Sequence, residues 1–328
     1  MESRNLGRTP LRVSCIALGG NVFGHFCGPR ETETILAMAR DLGVNLVDTS
    51  DSYSDGRSEE VIGDGLGGAR ASWVIATKVG VHTGESAAGI GRKETIFERV
   101  DGSLRRLRTD YIDLYQMHHF DPITPLEETL GALSDLVAIG KIRYGGASNY
   151  TVAQLDRACD ISRRLGIPPL AGTQNHYNLL KQQARSEVFP VCREMGIGVL
   201  VYGALARGVL GGKYTLGSSA PAGSRASVSV SVQDDLTEPV LRTVSNLSKF
   251  ADARGQSVGN LALAWVLASP EVSSAIVGVR DSRQLQQNVA AADWRLSDAE
   301  LSEIDMLVGN LDSFDSVSLG SHAAHNPS

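Results

Sequence analysis

Cysteine is scarce: Cys15, Cys27, Cys159 and Cys192 are spread through 328 residues, with no C-x-x-C pair and no histidines at zinc-ligand spacing. That excludes a disulfide framework and a cysteine-bound zinc module, so the thiols read as reduced core fillers and no metal site is expected. Long hydrophobic runs are missing too. None reaches the roughly 18 residues a membrane helix needs. Residues 1–10 carry charge without an apolar centre, so no secretory peptide is expected. Basic charge is in deficit, with 31 Lys and Arg against 37 Asp and Glu for a net charge of -6. This argues against a nucleic-acid partner or an anionic-membrane surface. The expected setting is the cytoplasm, and a homo-oligomer stays open. Aromatics make up only 5%, and none of Trp73, Trp265 and Trp294 closes an apolar run.

What is present is an ordinary globular mix, 42% hydrophobic and 21% charged, in a chain long enough for one large α/β domain or two smaller ones. Eight apolar runs bounded by turns recur at residues 14–20, 45–50, 73–79, 112–118, 142–148, 171–176, 198–203 and 274–278. Most follow the previous one by roughly 30 residues, the length of one βα unit. Helix punctuation fills the gaps. Thr124-Pro125-Leu126-Glu127 predicts a capping box with proline at the first helical position, and Thr151 to Gln154 predicts a second. Leu126, Leu130, Leu133 and Val137 line one helical face until Gly140. Leu155, Ala158 and Ile161 line another until Gly166, and Ile96, Val100, Leu104 and Leu107 a third.

Strands alternating with helices predict a parallel sheet, and eight units predict a closed (β/α)8 TIM barrel rather than an open doubly wound sheet. The open sheet would want a G-x-G-x-x-G turn, which Leu18-Gly19-Gly20-Asn21-Val22-Phe23-Gly24 does not supply. The spacing breaks once, before the eighth strand. There residues 215–233 predict a long loop, followed by helices around 238–253 and 258–268. Residues 3–13 predict a hairpin closing the barrel's bottom. The expectation is one barrel domain over 1–328, with 311–328 a loosely held tail.

Asp48, Tyr53, Lys78 and His118 stand at or just past the ends of the second, third and fourth runs, where such a barrel gathers its chemistry. Each alone reads more readily as a turn cap, a packing residue or a solvated strand end; jointly they read as a site. A lysine beside a phenol favours phenolate, a carboxylate holds that lysine charged, and an imidazole can orient a carbonyl oxygen. Such a group protonates an alkoxide as it forms, which calls for a hydride source.

These residues resemble a known family. Asp48-Thr49-Ser50-Asp51-Ser52-Tyr53 with Gly56-Arg57-Ser58-Glu59-Glu60, then Ala76-Thr77-Lys78 and Asp113-Leu114-Tyr115-Gln116-Met117-His118, are similar to the signatures of the aldo-keto reductases. The likeness runs from about Ser3 to Asp305. Its D-x-x-x-x-Y spacing selects Asp48 over Asp51, and its alignment selects His118 over His119. The resemblance implies a tetrad of Asp48, Tyr53, Lys78 and His118, and NADPH bound across the barrel mouth to reduce a small-molecule carbonyl. It implies cofactor contacts at Gly20, Asn21, Asp48, Ser148, Asn149 and Gln174, with Tyr202 stacking on the nicotinamide. Gly203, Leu205 and Arg207 continue the strand-seven motif, and Lys213 and Arg225 match the pyrophosphate strap and 2′-phosphate arginine of the subgroup that includes potassium-channel β subunits. Gly278, Arg280, Gln284, Gln287 and Asn288 match the adenosine site, where a helix N-terminus with arginines suits a phosphate. Lys213, Arg225 and Arg280 together favour NADP over NAD.

The family often has proline where Ala204 and Val277 stand, and glutamate at Gln287. Channel β subunits, as the resemblance implies, lack the histidine that this chain has at 118. Besides a reductase, a cofactor-sensing regulatory subunit therefore stays open. A rim of Phe23, His25, Phe26, His82, His119 and Phe120 leans toward a hydroxylated carbonyl such as a keto-sugar.

Overall fold

The computed structural model describes residues 1–80, 88–227 and 229–309. An antiparallel hairpin, β1 (Ser3–Asn5) with β2 (Arg12–Ser14), comes first. Eight parallel strands then close a barrel: β3 (Ile16–Gly19), β4 (Leu46–Asp48), β5 (Val74–Val79), β6 (Ile112–Met117), β7 (Ile142–Ser148), β8 (Gly172–His176), β9 (Gly198–Tyr202) and β10 (Val272–Val277). The ring is sealed where β10 meets β3, with Ala275 opposite Ile16. All eight expected strands are present and each bound lies within two residues of expectation.

Among the described residues, seven α-helices occupy the first six connections: α1 (Pro29–Asp41), α2 (Arg57–Leu66), α3 (Lys93–Leu107), α4 (Leu126–Ala138), α5 (Val152–Leu165), α6 (Gln183–Ser186) and α7 (Val188–Met195). Between β9 and β10 lie α8 (Val230–Asp234), α9 (Glu238–Asp252) and α10 (Val258–Ala268); α11 (Ser282–Ala290) and α12 (Asp298–Val308) follow β10. The stretch expected as a plain loop over 215–233 holds a 3-10 turn at Arg225–Ser227 and the start of α8. The expected tail at 311–328 lies outside the described residues.

Strand side chains alternate between two apolar clusters, as a barrel wall buried on both faces requires. Ile16 and Leu18 face the helices, whereas Ala17, Leu46, Val74, Ala76, Leu114, Leu200 and Ile276 fill the interior. The hairpin plugs the bottom with Leu6 and Val13, both fully buried in the interior cluster. At Gly7, φ is +56° and a Cβ would come within 2.3 Å of the Gly196 carbonyl oxygen, so only glycine lets the plug seat this deeply.

Of the two expected capping boxes one forms. Thr151 Oγ1 accepts from the Gln154 amide at 3.3 Å, while Gln154 Oε1 accepts from the Thr151 amide at 2.9 Å. The box expected at Thr124 and Glu127 is absent. Pro125 takes the N-cap position itself, and Thr124 Oγ1 donates to Asp121 Oδ2 at 2.6 Å. Asp121 also accepts the Gly91, Ile123 and Thr124 amides. A loop carboxylate has captured the hydroxyl that would have capped the helix.

Candidate active site

Period-two alternation explains why polar side chains meet at the carboxyl end. Leu46, Ala76 and Leu114 fill the barrel, so Asp48, Lys78, Gln116 and then His118 must point inward one layer higher. Gln174 joins them from β8, and its amide donates to Asp48 Oδ1 at 2.8 Å. Lys78 is fully buried and saturated: its ammonium donates to Asp48 Oδ2 at 2.7 Å, to the Thr49 carbonyl at 2.9 Å and to the Tyr53 hydroxyl at 3.2 Å. Tyr53 arrives from the loop after β4, where Ser54 and Asp55 both adopt left-handed backbone (φ 51° and 55°) that turns the chain sharply behind the ring. Its ring meets the His118 ring edge to face at 5.7 Å. The four expected residues are thus brought together. Asp51 is elsewhere, ion-paired with Arg99 at 3.5 Å, so geometry selects Asp48 as the lysine's partner.

The electrostatics differ from the expectation in one respect. Burial pushes the Tyr53 phenol above its ordinary value and Asp48 adds to this; Lys78 pulls it down without cancelling the rise. The lysine therefore limits a rise rather than producing an acidic phenol, and Tyr53 is held in its proton-carrying form. Burial also pulls on Lys78, but Asp48 and Tyr53 outweigh it and raise the ammonium's pKa.

Beside this cluster, the Tyr202 hydroxyl donates to Asn149 Oδ1 at 2.8 Å, and Asn149 Nδ2 donates to Ser148 Oγ and to the His118 carbonyl. His176 stacks on Tyr202 with centroids 5.1 Å apart, and Asn178 approaches its Nε2 at 3.1 Å. Burial, then Lys181 and Arg207, pulls this imidazole down to about 3, so it is a neutral aromatic support. Gly203 (φ +70°) passes so close that a Cβ would lie 2.6 Å from the His176 ring. Leu205 precedes the turn that leads into the strap.

The strap residues divide. Arg207 is committed to an ion pair with Asp235 and donates to Ser231 Oγ at 3.1 Å, so its side chain serves the loop. Arg225 is half-buried and has no carboxylate partner among the described residues; burial, Arg280 and Arg207 all pull its pKa down. Arg280 lies 4.2 Å over the Phe26 ring, while Lys213 lies beside Gly208. On the far side Asn21 Oδ1 lies 3.3 Å from where a Cβ on Gly278 would sit, joining the loops after β3 and β10. The Arg280 amide donates to Gln284 Oε1, and Asp281 caps α11, on whose surface Gln287 and Asn288 lie. Gly20 lies at the end of β3, its carbonyl accepting from Ser58 Oγ at 2.7 Å.

Of the rim, Phe23 is fully buried and packs into the helical layer, so it offers no surface. His82 falls outside the described residues. His119 stacks on His118 at 5.2 Å and Phe120 packs edge to face on Tyr150. Sequence reasoning passed over Gln116, His176, Asn178 and Ser50. Gln116 was readable from strand alternation, two residues before His118. The others owe their setting to partners from other strands, His118 for Ser50, Tyr202 for His176 and the Gly203 carbonyl for Asn178, which leave no local pattern.

A closed eight-stranded parallel barrel with a lysine, a carboxylate, a phenol and an imidazole converging at its carboxyl end defines the class of a barrel oxidoreductase site. The chain belongs to the aldo/keto reductase family, whose model matches residues 15–308. It is 33% identical over 319 residues to the aldo-keto reductase YhdN of Bacillus subtilis, covering 94% of each chain. It is 35% identical over 302 residues to a probable voltage-gated potassium channel subunit beta of Oryza sativa, covering 89% of this chain and 92% of that one. An uncharacterized oxidoreductase YrpG of Bacillus subtilis is 34% identical over 308 residues. No described helix is long and apolar enough to cross a membrane.

Proposed function

We propose that the chain is an NADPH-dependent carbonyl reductase taking a small aldehyde or ketone to its alcohol. The observation that carries this reading is the Lys78 ammonium within 3.2 Å of the Tyr53 hydroxyl and 2.7 Å of Asp48, buried where the strands end. NADPH, when bound, supplies the hydride. Tyr53 gives its proton to the carbonyl oxygen as negative charge gathers there, and Lys78, pinned by Asp48, stabilises the phenolate that remains. His118 orients the same oxygen from the next strand. The residues fit the cofactor: Arg225, a guanidinium near Arg280 and Arg207 with no carboxylate partner among the described residues, is costly without an anion and suits a phosphate. Arg280 adds a second cation near Arg225, Lys213 is a further cation of the strap, and the hydrogen-bonded Ser148, Asn149 and Tyr202 lie beside the tetrad as candidate nicotinamide contacts. A hydroxylated carbonyl suits a rim carrying His25 and His119. The barrel is proposed to act as one catalytic domain.

A second reading, a cofactor-sensing subunit with little turnover, draws on the likeness to the rice channel subunit. His118 in the tetrad weighs against it. The deciding experiment mixes the protein with NADPH and chemically diverse aldehydes and keto-sugars and follows loss of reduced cofactor. Turnover that disappears in Tyr53→Phe while NADPH binding persists supports the reductase; absence of turnover across the panel favours the sensor.

A further inference from the structure

The loop that delivers Tyr53 also carries a hydrogen-bonded chain that the proposed reaction does not use. Ser50 is fully buried, and its hydroxyl lies 3.2 Å from His118 Nδ1 and 3.4 Å from Asp51 Oδ1. A Ser52 amide donates to the same oxygen at 3.3 Å, and the Ser52 hydroxyl lies 3.0 Å away. One hydroxyl therefore joins the site's imidazole to a carboxyl whose side chain is itself fully buried.

Asp51 has an unusual setting. Burial, then Glu59 of α2, pushes its carboxyl up to about 6; Arg99 and Arg106 of α3 and the Gly80 amide beyond β5 pull it down. Tyr115 of β6 completes the enclosure, its phenol pushed up by burial and by the Asp51 and Glu59 charges. The two guanidiniums are only partly available: Arg106 is drawn to Glu59 at 2.7 Å, and Arg99 is half in solvent. Among the described residues, the titratable groups whose rings meet His118 are Tyr53 and the stacked His119. Asp51 can thus change protonation near neutral pH while the tetrad's Asp48 stays tied to Lys78.

A serine hydroxyl has one hydrogen to give. When Asp51 is ionised it draws that hydrogen, leaving a serine lone pair toward His118 Nδ1. A neutral imidazole then carries its hydrogen on Nδ1 and presents a bare Nε2. When Asp51 is protonated it no longer demands the hydrogen, which turns to Nδ1 and moves the imidazole's own hydrogen to Nε2. We propose that Asp51, acting through the Ser50 hydroxyl, is a positioning residue that selects which nitrogen of His118 carries the hydrogen. The inference rests on the reading that His118 faces the substrate oxygen. An Nε2–H donates to a carbonyl; a bare Nε2 accepts from an alcohol. The pair therefore biases the site toward reduction on the acid side and toward alcohol oxidation on the alkaline side.

The test records the ring-nitrogen correlations of His118 by 15N NMR at pH 8, which tell the two neutral tautomers and the doubly protonated ring apart; His118→Asn identifies the signals. Wild type is expected with hydrogen on Nδ1. Asp51→Asn, whose amide can itself donate to Ser50, is expected with hydrogen on Nε2. Ser50→Ala cuts the link, so adding Asp51→Asn to it changes nothing. Carbonyl reduction by Asp51→Asn at pH 8 is expected to rise about five- to tenfold in kcat, with KM little changed and the inflection near pH 6 lost, the worth of about one hydrogen bond in the transition state. The same tautomer in wild type and Asp51→Asn, or an equal response to Asp51→Asn with and without Ser50, overturns the proposal. A tautomer flip in a protein that turns over no carbonyl supports this inference and counts against the reductase reading, so the two fail separately.

Discussion

The two ends of the barrel are made from the same strands and held by opposite means. At the amino end the interior is sealed by Leu6 and Val13, with Leu11 packed against them, over Ala171, Val74 and Leu46. Outside that seal, Arg70 and Arg143 sandwich the Tyr111 ring at 4.1 and 4.2 Å, both paired to Asp113. There charge lies at the periphery and the centre is apolar. At the carboxyl end the order is reversed: Lys78, Asp48, Gln116 and Gln174 occupy the axis, and the apolar residues retreat to the helical layer. A buried charge needs a partner for every donor, and an apolar plug needs only volume. The upper end therefore fixes orientations, whereas the lower end supplies stability. Variants at the two ends should separate these contributions.

The largest separation should come from Tyr53→Phe. Removing one oxygen at the upper end should lower kcat by about 10²- to 10⁴-fold, the usual worth of a positioned acid, while the Lys78 donor left without its acceptor costs only about 1–3 kcal/mol of stability. Steady-state rates beside urea melts check both halves. A variant that keeps full activity would deny Tyr53 the proton.

Lys78→Met sharpens the contrast because it should damage both properties. It strands the Asp48 carboxylate in the barrel axis with, among the described residues, the Gln116 and Gln174 amides as its remaining side-chain donors. Breaking a buried pair in this way typically costs about 3–5 kcal/mol. Adding Asp48→Leu should restore part of the stability in urea unfolding and none of the turnover. If the double variant regains turnover, the pair is structural only.

At the other end, Leu6→Ala opens a cavity beneath the interior cluster. The expected loss is about 3 kcal/mol of stability, with kcat per folded molecule unchanged. Measuring both at a temperature well below the unfolding transition checks this. A fall in kcat there would mean that the plug transmits to the site and that the ends are not independent.

How far each end was legible follows from the same contrast. The barrel and its eight strands were readable because buried parallel strands leave apolar runs at regular spacing. The tetrad was readable because Asp48, Lys78 and His118 interrupt those runs at their ends. Asp51 and His176 were not: their settings come from Glu59, Arg99 and Tyr202, all brought in by other elements. Phe23 read as a rim residue because a loop position says nothing about which way a ring turns.

The capping boxes test this limit on a smaller scale. Both were read from local spacing, yet only Thr151 caps its helix; Thr124 gives its hydroxyl to Asp121. Thr151→Ala should cost about 1 kcal/mol, as loss of an N-cap does, and Thr151→Ser should recover most of it. Thr124→Ala should instead be felt through Asp121, which already holds three backbone amides and loses only one of its donors. Its cost should not be rescued by strengthening the start of α4, for instance with Pro125→Ser. Thermal melts of the four variants decide the matter. Rescue of Thr124→Ala by a new cap at 125 would show that the hydroxyl served the helix after all, and that the upper loops are less tightly bound to one another than their hydrogen bonds indicate.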